Sequence, residues 1–252
     1  MGAEMALKEY AVRLGDDSLI LGHRLSEWCR NAPFLEEDLA LSNVALDFIG
    51  RARMFYTYAA ELSEGGVTED TFAYQRDCRE FQNYLIHELP RGDFAFTMVR
   101  QYLIDVYSFA FMDSLTDSTD AQLAAIAGKA IKESKYHLRR SEEWMLRFGD
   151  GTKESHRRFQ VAVNELWRYT GELFLQDELE RELVSQGVAV DTSLLKEDWE
   201  QTVSSLFSSL SVEIPKGDLQ VSGGREGKHT EFLGFLLSEL QFLQRAYPGQ
   251  KW

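Results

Sequence analysis

The sequence predicts an all-α protein built as a helical bundle, and three observations support this fold class. Only four prolines occur in 252 residues, so long stretches are free of the residue that breaks helices. These stretches are rich in Leu, Ala, Glu, Arg and Gln, which favour helices, and no run alternates polar with β-branched residues. A hydrophobic fraction of 44% is typical of a globular protein.

The first half of the chain predicts three long helices. Apolar residues at helical spacing indicate one helix over 5–29, with a bend near Gly15, and a second over 36–62. Residues 69–90 predict short helical pieces. The third helix, over 94–115, is rich in aromatic residues. We expect it to be buried on most sides or to face another subunit.

The second half predicts four further helices separated by glycine-rich or polar turns. They are residues 121–148, 155–185 (with Val161 facing inward), 193–210 and 230–247. The segment 214–228, with one proline and four glycines, is the least regular. Two antiparallel helix pairs with additional helices are therefore expected to form one domain over residues 1–252.

Composition excludes several classes of function. With 41 acidic against 27 basic residues the net charge is −14, which disfavours nucleic acid or an anionic membrane as a partner. The two cysteines, Cys29 and Cys78, have no CxxC spacing, so neither a disulfide framework nor a zinc site is expected. The N-terminus lacks a signal pattern and no apolar run is long enough to span a bilayer. We expect a cytoplasmic protein.

One helix resembles the metal-binding helix of a carboxylate-bridged di-iron protein with a ligand missing. In such bundles a Glu and a His three residues later face the centre together. His137 stands where that His belongs, but Ser134 occupies the Glu position, and the nearby Glu133 is four residues from His137. Asp105, between apolar neighbours on the preceding long helix, is expected to point into the bundle. A buried carboxylate needs a metal, a cation or several hydrogen bonds, so the residues alone leave metal binding open.

The second predicted helix also has residues of the wrong type at the positions of a metal-binding pair. Asp47 lies in an apolar run, and the places where a Glu and His pair would fall hold Phe48 and Arg51. Arg51 and Asp47 are spaced to pair with each other, and a cation at a ligand position is incompatible with a bound dication there. The chain has one formal E-x-x-H, Glu226 to His229, in a glycine-rich stretch. We interpret it as a loop leading into the last helix rather than as a metal pair.

Eight segments, in order along the chain, match one family together. They are YAVRLGD (10–16), ALSNVALD (40–47), AIAGKAIKE (125–133), YHLR (136–139), LWRYT (166–170), HTEFLG (229–234), LQR (243–245) and PGQKW (248–252). These segments resemble the non-catalytic ferritin-like subunit, designated C, of the bacterial phenylacetyl-CoA epoxidases, which are multicomponent monooxygenases of phenylacetate catabolism. The resemblance covers nearly the whole chain.

The resemblance implies a ferritin-like four-helix bundle with additional helices and a structural, non-catalytic role. In that system the di-iron centre and the phenylacetyl-CoA site belong to a homologous catalytic subunit, designated A, and a reductase passes electrons from NADPH to it. The implied partners are therefore this catalytic subunit, in a homodimer or higher hetero-oligomer, and the reductase as a further candidate. No cofactor is implied for this chain itself.

The same resemblance implies a remnant metal site made of Asp47, Phe48, Arg51, Asp105, Ser134 and His137. Phe48 and Arg51 stand for the Glu and His of the first pair, and Ser134 with His137 stands for the second. Asp105 matches a remaining carboxylate, and the first-helix ligand stays open between His23 and Glu27. The alternative is an active di-iron or di-manganese oxidase or ferroxidase, which would need replacement ligands. A helical module with an unrelated partner is a further alternative.

Overall fold

A computed structural model describes residues 2–217 and 219–250, and every regular element within these ranges is helical. The ten α-helices of the described residues are α1 (Ala3–Ser26), α2 (Leu35–Glu61), α3 (Glu69–Tyr74), α4 (Leu85–Glu88), α5 (Phe94–Leu115), α6 (Ala121–Gly149), α7 (Lys153–Leu166), α8 (Glu178–Ser185), α9 (Lys196–Ser209) and α10 (Glu231–Ala246). Short 3-10 turns lie at 78–80, 167–174, 192–195 and 224–226. The all-α prediction is confirmed.

The chain divides into two compact units, which are described separately. The first unit contains residues up to 90 together with those from 223, and the second contains 91–222. Of the matched segment 248–252, Lys251 and Trp252 lie outside the described residues, as do Met1 and Asp218. The single domain expected over 1–252 stays a prediction.

In the first unit, α1 and α2 pack along each other, and glycines on α1 permit their close contact. A Cβ on Gly15 would overlap the ring of Tyr56, and one on Gly22 would lie 2.9 Å from Cγ1 of Ile49. Gly15 therefore serves the contact with α2, and α1 continues as one helix through the position where the sequence predicted a bend. Residues 69–90 form short helical pieces, as predicted, and α10 packs against α3.

In the second unit, α5 packs against α6 and α7. The Asp93 side chain caps α5 by accepting a hydrogen bond from the Phe96 N–H at 2.8 Å, and Asp120 caps α6 through the Leu123 N–H at 2.8 Å. Side chains around most of the circumference of α5 are buried, as its composition predicted. None of the helices within the described ranges is both long and apolar enough to cross a membrane.

The prediction of one helix over 155–185 is wrong. The helix α7 ends at Leu166, a 3-10 segment covers Trp167–Phe174, and α8 begins only after Asp177 caps it through the N–H of Glu180 at 3.0 Å. Both ends of the 3-10 segment pack on Trp199, with ring centroids 5.6 Å from Trp167 and 5.4 Å from Phe174. Tertiary packing has overridden helix propensity here. Val161, expected to face inward, is 41% exposed.

Candidate functional site

Three of the predicted site residues lie together in the second unit, on the facing sides of α5 and α6. Asp105, Ser134 and His137 are exposed by only 1%, 1% and 2%. Because α5 is buried around most of its surface, its polar residues are buried with the apolar ones. The sequence therefore placed Asp105 correctly in the interior, and α6 presents His137 to the same polar layer.

Asp105 is a carboxyl group in a poorly hydrated environment. Its Oδ1 accepts a hydrogen bond from Nε2 of Gln101, one turn earlier on α5, at 2.7 Å. Burial disfavours the ionised form and raises the pKa of Asp105 to about 6, because nearby His137 and the Gln101 hydrogen bond offset the lost hydration only in part. A metal dication would lower this pKa, and the side chains present do not replace one.

Hydroxyls and a cation are among the other side chains near Asp105 and His137. Ser134 Oγ lies 3.5 Å from Ser108 Oγ, so the position of the missing Glu contacts another hydroxyl. Arg140, one turn after His137, is 8% exposed, and its Nη1 donates to Sδ of Met98 at 3.7 Å. The positive charge of Arg140 also lowers the pKa of Asp105 against the larger effect of burial. Arg140 therefore supplies charge of the sign that a metal ion would supply.

The remaining predicted residues lie on α2 in the first unit. Phe48 and Arg51 are 3% and 1% exposed, and the Arg51 guanidinium lies over the Phe48 ring, 4.9 Å from its centroid. Asp47, the neighbouring carboxylate, is half-buried. The two positions assigned to a Glu and His pair are thus occupied by an aromatic ring and a fully buried cation.

The first helix supplies no clear ligand. Glu27 Oε1 accepts a hydrogen bond from Nη1 of Arg24 at 2.6 Å. His23 is half-buried, and burial lowers its pKa, with the charge of Arg24 acting in the same direction. The choice between His23 and Glu27, left open by the sequence, is not resolved in favour of either residue.

These donor sets do not fit a di-iron carboxylate centre, which takes four carboxylates and two histidines from four helices. The second unit offers Asp105 and His137 beside Arg140, and α2 offers Asp47 beside Arg51. Within residues 2–217 and 219–250, no three His, Cys, Asp or Glu side chains are grouped as metal ligands would be. Whether the six residues predicted as a remnant site descend from a metal site stays a prediction.

The formal E-x-x-H of the sequence is divided between the surface and the interior. The carboxylate of Glu226 pairs with Nζ of Lys228, both largely exposed. His229 is 3% exposed at its side chain, and Nδ1 contacts Oε2 of Glu88 at 2.8 Å. Its Nε2 lies 2.7 Å from the carbonyl oxygen of Phe81. The interpretation of this stretch as a loop leading into the last helix agrees with the structure.

His229 belongs to a buried ionic network of the first unit that sequence reasoning missed. Burial alone would lower the pKa of His229, but the hydrogen bond and the charge of Glu88 outweigh it and raise the pKa. Glu88 is fully buried and also accepts from Nδ2 of Asn83 at 3.0 Å and from the Thr230 N–H. The loop before α10 is thereby fixed to α4.

Two adjacent aspartates of α1 complete the network. Asp16, fully buried, accepts from the hydroxyl of Tyr56 at 2.5 Å, from the Gln82 N–H at 2.8 Å and from the guanidinium of Arg76. Burial alone would lower the pKa of Arg76, but the charge of Asp16 outweighs it and raises that pKa. Burial raises the pKa of Tyr56, and Asp16 raises it further.

Asp17 makes the corresponding contacts on the next position of the helix. Its carboxylate accepts from Nη2 of Arg225 at 2.8 Å and from the Tyr84 N–H at 2.8 Å, and lies 3.2 Å from Nδ1 of His87. Burial opposes ionisation, but the charge of Arg225 and the contact with His87 lower the pKa of Asp17 overall. The Arg225 guanidinium also lies 3.8 Å from the Tyr84 ring centroid.

A signal for this network was present in the sequence. Asp16 and Asp17 lie between apolar residues such as Leu14 and Leu19, a pattern similar to the one that drew attention to Asp47 and Asp105. Their cations are distant in sequence, however, since Arg225 is 208 positions from Asp17. The pattern indicated buried acids but not their partners. The network links α1, the segment 76–90 and the loop before α10, and its charges are paired internally.

Comparison with known proteins agrees with the segments matched in the sequence. A family model described as phenylacetic acid catabolic protein matches residues 2–252. The subunit designated C of 1,2-phenylacetyl-CoA epoxidase from Escherichia coli (strain K12) is 49% identical over 246 residues, which cover 98% of this chain and 99% of that protein. The resemblance to this epoxidase subunit and the ferritin-like fold are confirmed. The chain therefore belongs to the phenylacetic acid catabolic protein family.

Proposed function

We propose that this chain is the structural, non-catalytic subunit of a multicomponent phenylacetyl-CoA epoxidase. It would support a separate catalytic subunit, which would hold the di-iron centre and bind phenylacetyl-CoA. The name of the E. coli relative identifies that protein as one subunit of such an enzyme. The proposed partners are the catalytic subunit, within a homodimer or a higher hetero-oligomer, and the reductase as a further candidate.

The observation that carries the proposal is the burial of Arg51. Its guanidinium is always protonated in proteins, and here the side chain is 1% exposed and stacked on Phe48. A fixed cation at a former ligand position repels a dication, and the interior offers little solvent to screen that repulsion. Ser134, by contrast, lacks the carboxylate of a ligand but introduces no charge that would repel a metal ion. Replacement by a cation is therefore the stronger support for a non-catalytic role.

The chemistry of the remaining residues supports the same proposal. Among the predicted site residues of the second unit, Asp105 and His137 are of ligand type, and two ligands leave a pair of iron ions largely uncoordinated. Gln101 donates a hydrogen bond to Asp105 within the protein, as a structural role requires. In this chain these side chains would orient the packed helices.

Metal analysis of the purified chain tests the proposal against the alternative of an active oxidase. The chain is expressed alone with iron or manganese in the medium, and metal is measured by plasma mass spectrometry. We expect far less than one ion per chain, and no oxygen consumption with a chemical reductant. Two iron or manganese ions per chain would overturn the proposal.

Binding to the catalytic subunit provides the positive test. The two chains are co-expressed with an affinity tag on one of them and then analysed by size exclusion. Co-elution in a fixed ratio is expected, together with epoxidase activity that requires both chains and the reductase. Failure to co-elute would contradict the structural role and favour an unrelated partner.

A further inference from the structure

We propose that the outer face of α2 is the docking surface for an apolar helix of the catalytic subunit, with basic residues flanking the apolar face of that helix. The inference rests on the proposed function and adds the surface and the chemistry of its partner. The surface, called the α2 stripe, consists of Leu35, Leu39, Leu46 and Gly50, with Glu36 at its edge.

The leucines of the α2 stripe lie on the exposed side of α2, where an amphipathic helix normally carries polar residues. Leu35, Leu39 and Leu46 are 69%, 57% and 64% exposed. Steps of four and seven residues place them in one row along the helix. The opposite side of α2 carries the buried residues that pack within the protein, such as Phe48 and Phe55. An ordered row of exposed leucines marks an interaction site more strongly than scattered ones.

Gly50 continues this row and, like Gly128 of α6, faces open space, so its alignment with the exposed leucines is what relates it to a partner. It is exposed in the middle of a 27-residue helix, where glycine is less favourable than every residue except proline. Glycines 15 and 22 allow α1 to approach α2, but a Cβ added to Gly50 would find nothing within 4 Å. A helix packed from outside would use the missing side chain, because small residues allow two helix backbones to approach closely.

Charge distinguishes a partner with basic flanks from a second copy of this chain. Glu36 and Asp38 lie beside the stripe in the first turn of α2. Arg53, on the same face, contacts Glu69 at 3.4 Å. The whole chain carries a net charge of −14, so two copies would bring acidic surfaces together. A partner helix with Lys or Arg beside its apolar row gains attraction instead.

The affinity of this chain for the catalytic subunit, measured by biolayer interferometry, tests the stripe directly. The double variant Leu39→Ser/Leu46→Ser is expected to weaken binding at least ~10-fold, since both leucines would lose burial against the partner. The matched control is Leu175→Ser/Leu194→Ser, at leucines that are 55% and 74% exposed in the second unit. This control is expected to bind like the wild type. Circular dichroism and thermal melting verify that both variants fold.

Gly50 offers a second, independent variant. Gly50→Gln adds a side chain at the point of closest approach, and we expect a loss of affinity of about 10-fold or more together with an unchanged or higher Tm for the chain alone. Gly128→Gln is the control, because Gly128 is exposed within α6 and a Cβ there also finds nothing within 4 Å. Equal losses from both glycine variants would overturn the assignment to α2.

The charge argument is tested by reversing one acid. Glu36→Lys should weaken binding several-fold at low salt and much less at about 0.5 M salt, because screening removes the attraction. Glu197→Lys, at an exposed acid in the first turn of α9, matches it in net charge and in its effect on a helix dipole, and should leave affinity unchanged. A salt-independent effect at position 36 would contradict the basic flank of the partner.

The outcomes separate this inference from the proposed function. Tight binding by the wild type that none of the α2 variants weakens would overturn the docking surface and leave the structural role intact. Absence of binding by the wild type would overturn the structural role itself. A dimer of the isolated chain, seen by sedimentation and abolished by Leu39→Ser/Leu46→Ser, would identify a second copy as the occupant and overturn the hetero-interface.

Discussion

The ionisation of Asp105 should make the protein less stable as the pH rises from about 4 to 7, and Asp105→Asn should remove this effect. The pKa of Asp105 is about 6 in the folded protein, above its ordinary value of 3.8. The folded state therefore binds the proton more tightly than the unfolded state over this interval. By linkage, the free energy of unfolding falls as pH rises through the interval and levels off above about pH 6.

The size of the effect follows from the two pKa values. One pKa unit corresponds to about 1.36 kcal/mol, so the difference between 3.8 and about 6 amounts to about 3 kcal/mol for a side chain that is 1% exposed. Asparagine at position 105 keeps an oxygen that can accept the Gln101 hydrogen bond and cannot ionise. We therefore expect Asp105→Asn to stabilise the chain by up to about 3 kcal/mol at about pH 7.5 and by only about 1 kcal/mol at about pH 4.5.

Urea unfolding of the wild type and Asp105→Asn, followed by circular dichroism from about pH 4.5 to about pH 8, measures this difference. Subtracting the two curves removes the contribution of the titrating groups that do not interact with Asp105. Asp113→Asn is the control, because it replaces an exposed carboxyl group on the same helix and should change the free energy of unfolding little. A variant that is destabilised equally at all pH values would refute the reasoning, since it would mean that the carboxylate is stabilised by a cation or metal stronger than the groups described.

Two further predictions concern the altered ligand positions and the buried network. Ser134→Glu restores the formal E-x-x-H of α6, but plasma mass spectrometry should find no iron bound while Phe48 and Arg51 remain, and stoichiometric iron would show that the site is less altered than we infer. His229→Gln should lower the free energy of unfolding by about 2 kcal/mol at about pH 6, because it removes a charge-assisted hydrogen bond to Glu88. The folded pKa of His229 is raised above 6.5, so this stabilisation is present below pH 6.5 and lost above the raised pKa. Urea unfolding at about pH 9 should therefore show a smaller loss, and equal losses at both pH values would contradict it.

The long helices could be predicted from the sequence because local signals define them. The predicted helix 94–115 agrees with α5 at both ends, where Asp93 provides the N-cap. The bounds of α2 and α6 differ by one residue from those predicted. The error over 155–185 has a non-local cause, since the 3-10 segment packs on Trp199, which lies on α9. Periodicity contains no information about such a contact.

The candidate site was predictable to a similar extent and for a similar reason. Burial of Asp105 followed from its apolar neighbours, and burial of His137 followed from its position on an inward helix face of mostly small residues. The compensating groups did not follow, since they come from distant segments. Asp17, for example, is paired by Arg225, and the segment that contains Arg225 looked like an irregular loop.

The buried charges of the chain distinguish two ways in which a carboxylate can be accommodated without a metal. Asp17 is matched by Arg225 at 2.8 Å, and its pKa is lowered, so it remains ionised and contributes to stability. Asp105 has a raised pKa because His137 and Arg140 compensate for its burial only in part. A carboxylate retained at a stability cost is expected where its position was selected for another purpose. The prediction that the six residues are the remnant of a metal site therefore depends on Asp105 for a ligand position that is still present and on Arg51 for one that is absent.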